Sequence, residues 1–204
     1  SELDHDLGVA ARIEKHAALL EKLLASVGEH GSVVVVEPAL KSRARHLHAV
    51  RDRVASRVFS PCLHARPCPV LAGEGDWCHD DLPVDLPAWL VPLARAAGLR
   101  WQGLTFAYVV LRRDGRTLAG ELRPAAPNRL RLRVVSDRLE TKGKTELFAC
   151  TEAGERPRLR RLDRDVGDDE PAIARGDVVT IDGPIDERGR IGRDVAIDVW
   201  RGRN

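Results

Sequence analysis

Three of the four cysteines in this 204-residue chain lie in one stretch, Ser60 to Asp80, which reads SPCLHARPCPVLAGEGDWCHD. Cys62, Cys68 and Cys78 share it with three prolines, two glycines and two histidines, a composition that excludes a helix or a regular strand. Pro61 and Pro67 each stand directly before a cysteine and fix φ there, while Gly73 and Gly75 let the backbone turn before Trp77 and Cys78. Such a loop has little apolar surface to bury, and a metal centre would hold it. Cys150 ends the distant strand-like run Thr145 to Cys150, so four thiolates would tie the loop to a second element. Thiolates select zinc, cuprous copper or iron–sulfur clusters. Structural zinc usually takes close CxxC pairs, whereas the gaps here are five residues, then nine, then about seventy. That spacing leans towards a cluster, which four irregularly spaced cysteines can hold. Three other readings stay open: plain buried cysteines, disulfides, and zinc on four thiolates or with His64 or His79 replacing one. Disulfides find little encouragement, since no signal-peptide pattern is seen and cysteine is not enriched.

The elements that would position this loop follow from periodicity. Apolar residues at Leu7, Ala10, Ile13, Ala17, Leu20, Leu24 and Val27 predict an amphipathic helix over 7–27, ended by Gly28. The β-branched run Ser32 to Glu37 predicts a central parallel strand buried on both faces. Helix then strand is half of a doubly wound unit, where ligands bind beyond the strand ends. Glu37 falls there and is a candidate cofactor contact, or simply a cap for the next helix. A second helix is expected over 39–58, with Leu40, Ala44, Leu47, Val50, Val54 and Val58 buried. Further on, the patterns predict a short helix over 88–97 closed by Gly98 and a strand over 101–112. A turn at Asp114-Gly115 should lead into a strand over 117–123, with more strands over 129–136, 145–150 and 158–162. Trp101, Phe106 and Tyr108 are expected in the core. The acidic run 163–170 reads as a mobile loop, and 177–182 with 195–200 as a hairpin in a small barrel-like β appendage.

The balanced net charge of +2 hides segregation. Basic residues gather on the second helix, over 123–133, and over 156–164. Arginine grips phosphate with two prongs, and each phosphate neutralised strengthens binding through counterion release. Arg43, Arg45, Arg53, Arg131, Arg158, Arg160 and Arg161 are therefore candidate RNA contacts, with a merely solvated basic surface as the plainer explanation. In a strand, Arg158 and Arg160 face one side while Leu159 and Arg161 face the other. No Ser–His–Asp set, HExxH or P-loop occurs, and Gly73-Glu74-Gly75 precedes no helix, so no glycine-rich cofactor cradle is present. No apolar run approaches the roughly 18 residues of a membrane span. With 43% hydrophobic residues, the chain can bury one core plus an appendage. It has no methionine and starts at Ser1, and is expected to be a fragment, a processed form or an excised region.

Cys62-Leu63-His64, Cys68-Pro69-Val70 and Asp76-Trp77-Cys78-His79 resemble the CPH, CPL and DWCH blocks of a methyltransferase-like family that acts in small-ribosomal-subunit assembly, in mitochondria and bacteria. Val33 to Pro38 with Arg51-Asp52 is similar to its fifth-strand EPG motif and the following helix. Ser1-Glu2-Leu3 looks like the end of its fourth strand, and Arg133 to Ser136, Lys142-Gly143, Cys150, Gly154 and Ala174 to Asp177 look like its C-terminal pattern. Leu63, Ala39 and Asp80 depart from those motifs, but no thiolate is lost. The resemblance implies a [4Fe-4S] cluster on Cys62, Cys68, Cys78 and Cys150. Asp76 and His79, beside a cysteine, could act as acid or base, but supporting the cluster is the favoured role. It implies the C-terminal part of a Rossmann-like class I methyltransferase fold (α/β), its N-terminal strands absent. The expected divisions are a partial core (1–58), the cysteine loop (59–81), a helix and antiparallel strands completing the sheet (82–150) and a basic β-rich extension (151–204). Ribosomal RNA and the small subunit are the implied partners, in a bacterial-type cytoplasm. The alternatives are an S-adenosylmethionine-dependent rRNA methyltransferase in a complete protein, and a zinc-stabilised interaction module.

Overall fold

The computed structural model describes residues 3–101, 103–122, 129–167 and 169–201. Ser1-Glu2 and the start of the basic run, 123–128, fall outside them. Helix α1 (Val9–Ser26) buries His16, Ala17, Leu20 and Leu24 at three-and-four spacing. Helix α2 (Lys41–Arg53) buries Ala44, Leu47 and Val50 beside it. Both pack on one face of a sheet, against Val33, Val35, Ala107, Val109 and Leu111. That sheet has strand order β1 (Ser32–Pro38), β4 (Leu104–Arg112), β2 (Val58–Ser60), with β3 (Asp80–Leu82) also on β4.

The valine run is not a strand buried on both faces. Strand β1 pairs antiparallel with β4, and exposure alternates along it, leaving Val34 61% and Val36 59% exposed. Among the described residues no strand takes its other edge, and both helices lie on one face, so only alternate valines are covered. The second helix is also shorter than its pattern. Val54 leaves helical geometry (φ −113, ψ 27), a single 3-10 turn follows over Ala55–Arg57, and Val58 enters the core from β2.

Strands β2 and β3 share one edge of β4. Val58 lies opposite Leu111, and Asp80 to Leu82 lie opposite Phe106 to Leu104. Residues 61–79 are thus an excursion from an interrupted edge strand, and both ends of the cysteine loop are fixed by the same neighbour. Helix α3 (Val91–Ala96) ends before Gly98, whose φ of +67 suits glycine. Trp101 lies outside the core; it is 39% exposed and its Nε1 donates to the Val84 carbonyl at 2.6 Å. The expected strand over 117–123 is instead a single helical turn, α4 (Leu118–Glu121). The Thr117 hydroxyl accepts from the Gly120 N–H and caps it.

A second sheet holds β5 (Arg129–Val134), β6 (Leu139–Thr141), β7 (Lys144–Thr151), β8 (Arg158–Leu162), β9 (Val178–Asp182) and β10 (Ala196–Trp200). Its order is β10–β9–β5–β7–β6, with β8 on β7. The stretch 129–136 therefore does not complete the first sheet. Leu132 and Val134 join Ala149, Leu159, Val179 and Ile181 in a separate core. The structural division falls between β4 and β5 rather than at residue 150, because β5 is bracketed by β9 and β7. The acidic stretch after β8 is not loose either: Asp165 is buried against Arg190 at 2.8 Å, and Glu170 is paired with Arg161. Among the described residues no helix is long and apolar enough to cross a membrane.

Candidate metal centre

Helix α2 holds the cysteine loop from one side. Arg45, His48, Arg51 and Asp52 recur at helical spacing and share a flank of the helix. Arg45 donates to the carbonyls of Val70 (3.0 Å) and Asp76 (2.8 Å). His48 Nε2 donates to the Cys78 carbonyl at 3.0 Å. Arg51, with its side chain sealed from solvent, pairs with Asp52 at 2.8 Å and donates to the carbonyls of His64 and Arg66. The Asp52 carboxylate accepts the Cys68 N–H at 3.0 Å. A loop with few internal hydrogen bonds is thus satisfied by one helix flank, as buried backbone groups require. Arg45 and Arg51, from the basic face of α2, point inward here, a role the charge pattern alone did not suggest. The signal was present in the spacing of Arg45, His48 and Arg51 on a helix running straight into the loop.

The second sheet holds the loop from the other side. Arg133 on β5 lies directly opposite Cys150 on β7, and its guanidinium meets both Asp80 oxygens at 2.6 Å. Arg156 pairs with Asp76 at 2.5 Å and lies 4.9 Å over the Phe148 ring. Arg175 donates to the His79 carbonyl at 3.2 Å and pairs with Asp81 and Asp137 at 3.0 Å. The turn 76–81, with Cys78 at its middle, is gripped by three arginines from the β half.

These two grips bring the Cys78 turn and the strand carrying Cys150 into one neighbourhood. Burial pushes the Cys150 thiol up to about 12, and the charges of Cys78, Cys62 and Cys68 push in the same direction. Cys68 rises to about 12 through burial and then its neighbour Cys62. Burial takes Cys78 up to about 11, with Arg133 opposing the rise. Burial opposes the charge on Arg51, but Cys62 and Asp52 more than restore it, so its proton is held more tightly than usual. Among the described residues no group of three or more His, Cys, Asp or Glu is placed to hold a metal ion, so any metal rests on donor chemistry. The surroundings bear on that chemistry. Among the described residues nine buried side-chain nitrogens lack a hydrogen-bond partner, and five belong to residues of this region: Arg51 Nε, Arg156 Nε, Trp77 Nε1, His48 Nδ1 and His79 Nδ1. Orphaned buried nitrogens are rare and call for an explanation. Four thiolates with bridging sulfide are strong acceptors for those that carry a proton, so the residues fit an anionic thiolate centre.

A family model for the mitochondrial small ribosomal subunit protein Rsm22 matches residues 3–164, a span that contains all four cysteines. The chain belongs to the Rsm22 family. Membership carries a small-subunit, ribosome-related function. No curated protein matches the chain.

The other candidate residues of this Rsm22-family chain are scattered. Glu37 lies at the end of β1 and lines a cleft of about 220 Å³ with His16, His46 and Leu3, away from the thiols. Arg45 and Arg161 have their charge turned inward, the latter to Glu170 and the carbonyls of Ile191 and Gly192. Arg131 is buried and paired with Glu152 at 2.8 Å. Arg53 is exposed beside Glu14, and Arg43 is half-buried on the same helix. Arg158 is the most open of the β8 set and pairs with Glu146 at 2.6 Å. Arg160 is half-buried beside it. Buried positions such as Arg131 could not be told from exposed ones, because the strand pattern RLRLRV places arginine where a core residue is expected.

Proposed function

We propose that this chain is a small-subunit assembly factor whose four cysteines hold a [4Fe-4S] cluster, and that it binds ribosomal RNA through the arginine surface next to that site. The observation that supports the reading is the docking of the Cys78 turn onto the sheet carrying Cys150 through Arg133, Arg156 and Arg175, beside buried nitrogens without a partner. Bound there, the cluster supplies a rigid four-point anchor and a centre able to change charge by one electron. The chain's own part is to keep Cys150 against the loop and water away from it. The first sheet suits the C-terminal half of a Rossmann-like methyltransferase sheet, since β1 and β2 run in one direction with β4 reversed between them. A bacterial-type cytoplasm belongs to the same proposal.

Iron and acid-labile sulfide, measured on anaerobically purified protein, test the metal half. Equal amounts of both in a brown protein are expected. A colourless protein containing zinc would transfer the site to the zinc-stabilised module, and a metal-free one would remove the centre.

The RNA half rests on Arg158, exposed on β8, and Arg160, half-buried on the same strand. Replacing both with alanine is expected to reduce the slope of log affinity against log salt by roughly one to two, as each neutralised phosphate contributes about 0.9. The fold should persist, because Arg158 is largely exposed and each change keeps the strand's backbone pairing with β7. An unchanged slope would place the RNA contact elsewhere.

A further inference from the structure

The turn around Cys78 and the strand carrying Cys150 belong to different sheets, yet polar contacts already join them. Arg133 is opposite Cys150 across β5–β7, and its side chain is 5% exposed where it meets Asp80, itself 15% exposed. Arg156, at 17% exposure, and Arg175, at 11%, hold Asp76 and Asp81 on either side of the same cysteine. Arg175 also donates to the Val135 carbonyl, just past the end of β5. His48 on α2 holds the Cys78 carbonyl from behind. None of these contacts uses a cysteine sulfur.

We infer that the metal does not assemble this cage: Arg133, Arg156 and Arg175 dock the Cys150 strand onto the Cys78 turn beforehand, with Arg133 as the principal positioning residue. A buried pair with two charge-assisted contacts fixes geometry as well as proximity, and removing one partner strands the other in a dry site. Arg133 meets that description most fully, since both its charge and that of Asp80 are withdrawn from water. A preassembled cage would let a cluster be taken up without refolding around it, as preorganised sites require of their supporting residues. The inference is independent of which metal the cage takes.

The test uses the full chain with Cys62→Ser and Cys68→Ser, stripped of metal by chelation, so that Cys78 and Cys150 are the only thiols. Dibromobimane becomes fluorescent when it bridges two nearby sulfurs. Bridging should proceed at least about tenfold faster in native buffer than in concentrated urea. Arg133→Met should reduce the native rate by roughly tenfold or more, since removing one partner of a buried ion pair is strongly destabilising. Arg133→Lys, which keeps the charge but not the fork, should restore part of it. Circular dichroism checks that the helices remain. If Arg133→Met loses them, Asp80→Asn replaces it and the comparison with urea still decides. Bridging no faster than in urea, or undiminished on loss of the Arg133–Asp80 pair, would overturn the inference. Neither outcome touches the iron and sulfide result, because no metal is present.

Discussion

Arg51→Met is expected to destabilise the protein by about 3–5 kcal/mol, the usual cost of breaking a buried ion pair from one side. The side chain has no exposed surface, and it serves Asp52 and the carbonyls of His64 and Arg66 together. Methionine fills much of the same volume but leaves the His64 carbonyl without this donor and the Arg66 carbonyl with only His64 Nδ1. Asp52 would also lose the cation beside it while still accepting the Cys68 N–H. The effect should therefore be local first: residues 61–72 become open to proteolysis before α2 melts. Arg51→Lys should recover only part of the loss, since one ammonium cannot span both carbonyls and the carboxylate. Urea denaturation with limited proteolysis reads both effects. A loss below about 1 kcal/mol, the level of an exposed pair, would mean that the loop is held by other contacts.

Much of this architecture was legible in the chain itself, for identifiable reasons. The stripe Ala17, Leu20, Leu24 has helical period and one apolar side, and it is buried as its spacing requires. Gly98 and the strand 158–162 likewise follow from local chemistry. The misreadings share a different origin. Val33 to Val36 are equally β-branched, so their types are silent about which face a neighbour covers; that depends on the placement of α1, α2 and β4. Arg129 to Val134 pairs with β9 and β7 through residues far along the chain, and no local pattern assigns a strand to one of two sheets. The inward turn of Arg45, Arg51 and Arg133 was masked for a related reason. Arginine is far more often exposed than buried, so a basic helix face suggests a polyanion first. Here the anions are carbonyl dipoles, aspartates and thiols of the same chain.

Cys150→Ser should lower retained iron on the order of tenfold, at least what loss of an outer-shell partner costs a metal site, and by as much as Cys78→Ser does. The reasoning starts from topology. Cys62, Cys68 and Cys78 come from one excursion whose ends are both fixed on β4, so three donors would survive the change. Cys150 comes from β7, in a sheet that shares no strand with the first. If three local thiolates were enough, the serine variant would keep its metal and lose only a minor contact. The surroundings argue otherwise. Burial drives the Cys150 thiol upward, and Cys78, Cys62 and Cys68 add to the rise. Serine in its place offers a hydroxyl that does not ionise near neutral pH and a poor match to a soft metal. The β half should nevertheless stay docked, because Arg133 and Asp80 are unchanged; the variant then separates loss of a donor from loss of the cage. Iron content equal to the parent's would show that the distant sulfur is a bystander, and the centre would have to be redrawn around the loop alone.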